Sequence, residues 1–161
     1  MESWQTLKPL AEKKDIKINL FSPTKYYISG DIENLKRAFI NILDNAIRYS
    51  PTKEGIQIEI FKRDSSVVIR VRDKGIGLEE NESNDIFSRF YRGDPSRTKF
   101  KKSGSCLGLS ITKKIINNNK VFIKAFNHKD GGAIIETIFP CLHTCLLYTS
   151  PSPRDVCSSP M

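Results

Sequence analysis

The sequence predicts an α+β fold, a two-layer α/β sandwich in which helices cover one face of a mixed sheet. Three observations lead there. Two pairs of stretches, within 55–73 and 121–140, alternate polar and apolar residues at period two, as half-buried strands do. Two others, 31–49 and 107–117, repeat apolar residues every three or four positions, as helices with one buried face do. The order along the chain is strands, helix, hairpin, loop, helix, hairpin, which suits helices gathered on one side of a sheet. At 161 residues there is room for one domain with a core and too little for two.

From the N-terminus, "IKINLF" (16–21) alternates clearly and "YYISGD" (26–31) less clearly, with Ser22-Pro23 as a turn between them, so two strands are expected. Asp31 is the expected N-cap of an amphipathic helix marked by Leu35, Ala38, Phe39, Ile42, Leu43, Ala46 and Ile47. That helix should end near Tyr49, because Pro51 disfavours helical backbone at Ser50. "GIQIEIFKR" and "SVVIRVRD" read as a hairpin turning at Asp64-Ser65. A polar, acidic loop follows Gly75 and Gly77, then the short segment "NDIFSRFYR" and the basic stretch "SRFYRGDPSRTKFKKSG". Helical periodicity resumes at 107–117 and stops in "NNN", after which "VFIKAFNH" and "GAIIETIFP" make a second hairpin around Lys129-Asp130-Gly131-Gly132. Residues 16–140 are thus the expected domain. The tail 141–161 is Pro- and Ser-rich in part and lacks periodicity; it is expected to be a disordered, non-native extension that looks like translated cloning vector.

With 39% hydrophobic and 27% charged residues the composition is that of an ordinary soluble globular protein. No apolar run approaches the ~18 residues of a membrane helix, and "MESWQTLKPLAEKK" lacks the apolar stretch of a signal peptide, so a cytoplasmic location is expected. A net charge of +8 admits a nucleic acid or a membrane surface as partner, but basic residues beside a glycine loop would equally serve a nucleoside triphosphate, or simply be solvated. Of Cys106, Cys141, Cys145 and Cys157, three lie in the tail, so no disulfide framework is expected. "CLHTC" with Cys157 matches no strong zinc spacing.

Four short motifs carry the chemistry. Asn41 and Asn45, four apart, share a helix face that continues towards Arg48 and Tyr49. An Asn carbonyl is a good hard ligand for Mg²⁺, although two asparagines on a polar helix face need no function. In "RDKGIGL", Asp73 ends a strand; a carboxylate there can accept from an exocyclic amine, and Gly75 and Gly77 let the backbone close over a flat ring. A plain turn after a strand fits the same residues. "IFSRFYR" sets Phe87 and Phe90 three apart beside Arg89 and Arg92. "SGSCLGLS" places Gly104 and Gly108 around Cys106, with Leu107 and Leu109 leading into a helix, so its backbone can face a phosphate at that helix N-terminus or form a tight turn.

Taken in order, N-x-x-x-N-A-x-[KR]-Y, D-x-G-x-G, F-x-R-F and G-x-x-L-G-L resemble the ATP-binding catalytic domain of sensor histidine kinases, over about residues 7–140. Those domains belong to the superfamily that includes the DNA gyrase B subunit and the mismatch-repair ATPases. The resemblance implies ATP and Mg²⁺ as cofactors. On it, Asn45 coordinates the Mg²⁺ that bridges the ATP phosphates, with Asn41 beside it; Arg48 contacts phosphate and Tyr49 packs near the nucleotide. Asp73 binds the adenine amino group, and Gly75 and Gly77 shape the base pocket. Phe87, Arg89 and Phe90 anchor a mobile ATP lid at 92–105. Gly104 and Gly108, with Cys106, Leu107 and Leu109 in the same box, bring backbone N–H groups to the phosphates.

ATP-hydrolysing members such as gyrase carry a Glu where Asn41 stands, and an amide cannot take a proton from water. The resemblance therefore implies phosphoryl transfer to a nucleophile supplied elsewhere. In histidine kinases that nucleophile is a His on a preceding helical dimerisation domain. His128, in a hairpin turn, and His143, in the tail, do not match it. Residues 1–15 then read as a linker from a missing upstream dimerisation domain, and the chain alone should not autophosphorylate. The implied partners are that histidine-bearing domain and, through the full-length protein, a response regulator; no nucleic acid is implied, and the isolated domain is expected to be monomeric. The parent protein is expected to be membrane-anchored where it follows many family members. The family pattern is G-x-G-L-G-L, so Cys106 replaces its middle glycine, and a side chain at a phosphate-facing position with φ > 0 costs about 1 kcal/mol. Weakened ATP binding is expected. Two alternatives stay open: a degenerate docking module without kinase activity that holds nucleotide weakly or not at all, and a basic nucleic-acid binder, which leaves Asn45, Asp73 and the glycines unexplained.

Overall fold

Asp31 starts the helix on which the domain is organised. Its Oδ1 accepts from the backbone N–H groups of Glu33 and Asn34, both at 3.1 Å, satisfying two donors that no helical carbonyl reaches. The helix, α2 (Ile32–Tyr49), buries Leu35, Ala38, Ile42, Ala46 and Ile47 along one stripe. Ile42 and Ile47 are 1% and 0% exposed, and burying such a side chain contributes about 1.5–3 kcal/mol each. The computed structural model describes residues 2–79, 85–88 and 108–140. In these, α2 is preceded by α1 (Glu2–Lys13) and β1 (Lys17–Phe21). It is followed by β2 (Gly55–Arg63), β3 (Ser66–Arg72), α3 (Gly108–Asn118), β4 (Phe122–Asn127) and β5 (Ala133–Pro140).

The strands form one mixed sheet in the order β1-β2-β3-β5-β4. β1 runs parallel to β2 and every other neighbouring pair is antiparallel. Period-two alternation sends Ile56, Ile58, Val67, Ile69, Val71, Ile123, Ala125, Ile135 and Phe139 towards the helices, where they build the core. The other face carries an in-register charged row, Glu59, Arg70, Glu136 and Lys124. Arg70 bridges Glu59 and Glu136, and Arg63 bonds Glu136 as well. The expected sandwich, helices on one face of a mixed sheet, is the fold observed, and both expected hairpins form.

One expectation needs correction. Residues 26–31 do not form a strand; the stretch runs without regular structure. Tyr26 packs towards the core, but Tyr27 is exposed, so the alternation there records no sheet face. The N–H of Asp31 goes instead to the side chain of Asn119 at 2.8 Å. Residues Glu2–Lys13 form a helix, α1, with Leu7 and Ala11 buried in the core. The helix α1 is closed by Asp15 at φ 52°, with Ile16 N–H donating to Ala11 and Asp15 N–H to Glu12. Lys120, at φ 56°, closes α3 in the same way, with Val121 N–H donating to Ile116 and Lys120 N–H to Asn117.

Candidate functional site

Helix α2 presents Asn41 and Asn45 one turn apart, both half-buried. The Asn41 Nδ2 donates to the Gly108 carbonyl at 3.2 Å, and the buried Thr112 hydroxyl donates to the same oxygen at 2.8 Å. The first turn of α3 is thereby fixed beside the asparagine face of α2. Among the described residues no hydrogen bond engages the Asn45 side chain. Arg48 is exposed and pairs through Nε with Asp44 Oδ2 at 2.7 Å, so its guanidinium is tethered one turn back along α2. Tyr49 is half-exposed, and its carbonyl lies close to the loop after β3.

That loop is built around Asp73, which is 7% exposed. Its Oδ1 accepts from the Gly75 N–H at 2.8 Å and the Ala133 N–H at 3.0 Å, and its own N–H donates to the Ala133 carbonyl at 3.0 Å. Burial pushes the carboxyl above the usual aspartate range, against the two backbone N–H bonds and the charge of Arg72, which pull it down. Gly75 is required by space: a Cβ there would lie 2.7 Å from the Tyr49 carbonyl oxygen. Gly132 is required more strictly, since a Cβ would lie 2.1 Å from the Asp73 carbonyl oxygen and φ is +83°. Gly77 lies against Asn127, which reaches across from the end of β4. The Asn127 amide donates to the Leu78 carbonyl at 2.7 Å and accepts from the Leu78 N–H at 2.6 Å, pinning the glycine loop to the sheet.

Phe87 is buried in the core, under the Lys113 ammonium, which stands 5.5 Å from the ring centre. Leu109 packs against the same cluster. Of the residues singled out from the sequence, the structure brings Asn41 to Gly108, the end of α2 to Gly75, and Phe87 and Leu109 to one core. Arg89, Phe90, Gly104, Cys106 and Leu107, the other three cysteines and the proposed lid lie outside the described residues. Asn127 and Gly132 were not recognised as site residues from the sequence. Gly132 was legible as a turn glycine, whereas a lone Asn at a strand end gives no signal of what it clasps.

The arrangement of asparagine helix, buried aspartate, glycine loop and second helix N-terminus agrees with a family model described as histidine kinase-, DNA gyrase B-, and HSP90-like ATPase, matched over residues 30–143. The chain belongs to this family. Among relatives of this ATPase domain, the sensor protein SphS of Synechococcus elongatus is 33% identical over 141 residues, covering 84% of this chain and 34% of SphS. The chain thus spans about a third of that relative's length. The catalytic domain of the histidine kinase ThkA superposes with a TM-score of 0.71 at 23% identity, covering 86% of this chain and 88% of that one. Full-length ShkA, crystallised in complex with AMPPNP, gives 0.72 at 21% identity, covering 86% and 28%. These structural likenesses establish the shared fold. No described helix is long and apolar enough to cross a membrane.

The residues fit the nucleotide and metal the family implies. Among the described residues no cluster of three His, Cys, Asp or Glu side chains offers a complete metal site. Asn45 offers one amide oxygen, a hard donor of the kind Mg²⁺ takes alongside phosphate and water. Asp73 is held in place by two backbone N–H groups on one carboxylate oxygen.

Proposed function

We propose that this chain is the ATP-binding catalytic domain of a two-component sensor histidine kinase, which transfers the ATP γ-phosphoryl group to a histidine on a separate dimerisation domain. The observation that carries the reading is the fixed Asp73 carboxylate facing the glycine loop, with Asn41 and Asn45 on the adjoining helix. Asp73 accepts from the adenine amino group, and Gly75 and Gly77 leave room for the ring. Asn45 offers its amide oxygen to Mg²⁺, whose role when bound is to neutralise the phosphate charges. Arg48 would add positive charge, and the first turn of α3, Gly108 included, would offer N–H groups to them.

Asn41 supplies no base for water, which favours transfer to a nucleophile supplied elsewhere; in the kinase reading that is the incoming imidazole, whose nitrogen forms a bond to phosphorus as the bond to the ADP oxygen breaks. The partners are the histidine-bearing dimerisation domain and, through the whole protein, a response regulator. In this reading the N-terminal residues 1–15 connect to the former. The docking-only alternative draws no support from the likenesses above.

Titration of ATP with and without Mg²⁺ tests the reading in the parent chain and in Asn45→Asp and Asp73→Ala. Mg²⁺-dependent binding by the parent that both variants lose is the expected result; a parent chain that binds no ATP would sink it. Addition of a dimerisation domain and γ-labelled ATP then tests transfer, and ATP binding with no label on histidine would restore the docking-only alternative.

A further inference from the structure

Helices α1 and α3 close on their own left-handed residues, but α2 cannot. Ser50, at its end, is extended (φ −67°, ψ 138°) and Pro51 follows, so the main chain supplies no Schellman closure. The carbonyls of the last turn are satisfied from elsewhere in the sequence. Lys14, in the turn between α1 and β1, donates its ammonium to the carbonyls of Ile47 (2.8 Å), Arg48 (2.6 Å) and Ser50 (2.9 Å). Its own carbonyl accepts from the Lys53 N–H at 2.9 Å, so a single residue fastens both sides of the turn after α2. A cation at this end also meets the negative pole of the helix. Burial, and then the neighbouring Arg48, hold the ammonium below the usual lysine range.

The carbonyl between those Lys14 binds, that of Tyr49, faces Gly75 at the close approach described above. Lys14 is thus bonded to the same helical turn that the Asp73 loop packs against, and Arg48 and Tyr49 stand on it. We propose that Lys14 is a positioning residue for the nucleotide site: by fixing the last turn of α2 it sets where Arg48, Tyr49 and the Asp73–Gly75 loop stand, and makes nucleotide affinity depend on the placement of α1. The inference rests on the nucleotide-binding reading above.

The test titrates the full chain with AMPPNP and Mg²⁺ beside Lys14→Met, which keeps the aliphatic stem, and Lys14→Arg, which keeps the charge. All are compared at a temperature where each is fully folded, with amide hydrogen exchange followed in the same samples. Affinity should fall roughly tenfold in Lys14→Met and stay within about twofold of the parent in Lys14→Arg, a coupling of ordinary size between two elements. Exchange should quicken at Gly75 and Ile76 in Lys14→Met and stay unchanged at Val67 and Val68 in the core. Equal affinity in Lys14→Met and the parent overturns the proposal; so does uniform quickening with no rescue by Arg, which marks a merely structural role. If the parent binds no AMPPNP, the nucleotide reading has failed, and exchange at Gly75 alone judges the coupling: quickened upholds it, unchanged overturns it. Lys14→Gln replaces the Met variant if that does not fold.

Discussion

The side-chain amide of Asn41 donates to the main-chain carbonyl of Gly108 across 3.2 Å, joining the middle of α2 to the first residue of α3. The two residues lie 67 positions apart, and the link holds the asparagine face and the glycine box in one frame. Asn41→Ala should cost about 1 kcal/mol in chemical denaturation, the usual net worth of one hydrogen bond. It should also weaken Mg²⁺–ATP binding. Asn41→Asp, which loses the donor but keeps the size, should show both effects.

Asp73 separates stability from binding. Burial raises its carboxyl above the value in the unfolded chain, so the native state holds the proton more tightly. Its contribution is therefore present at low pH and is lost as the pH rises through the native value. Asp73→Asn, which removes the buried charge but can still accept from Gly75 and Ala133, should unfold at higher denaturant than the parent at neutral pH. That advantage should shrink below the usual aspartate range. ATP affinity should move the other way, falling by about tenfold or more, because a charge-assisted acceptor for the adenine amine is gone.

Glu136 behaves oppositely. Burial opposes its ionisation, but bonds from Arg63 and Arg70 together hold it below the usual glutamate range. Its stabilisation is thus full above the unfolded value and is lost as the pH falls through the native one. Glu136→Gln should cost about 1–3 kcal/mol at neutral pH, since two guanidinium groups lose their shared carboxylate. The difference should vanish in acid. Nucleotide affinity should be unaffected, because Glu136 lies on the sheet face away from the helices. Urea titrations across the acid range, with ATP binding measured at neutral pH, check both points.

Cys106 carries the departure from the family's glycine pattern. Cys106→Gly should tighten Mg²⁺–ATP binding by roughly fivefold, the equivalent of the about 1 kcal/mol that a side chain costs where the family's glycine has φ > 0. Calorimetric titration of the two proteins decides this, and equal affinities would refute the role given to that side chain.

The sequence by itself determined the class of fold, the span of α2 from its Asp31 cap to the Ser50-Pro51 stop, both hairpins and the four boxes. Each of these rests on local physics: helical and strand periodicity, capping and turn chemistry act over a few residues and leave a readable pattern. Only the tertiary structure decided the rest. The first helix leaves no clear period in the sequence: among its described side chains Leu7, Leu10 and Ala11 pack in or against the core, too few to stand out without the surface that buries them. Residues 26–31 looked like a strand although their Asp31 N–H is taken by Asn119, 88 positions away. Asn127 holding Leu78, Gly132 admitting the Asp73 carbonyl, and Lys14 closing α2 are long-range contacts of single residues. A contact between one pair of distant residues leaves no period in a sequence, so such residues become visible only when the chain is folded.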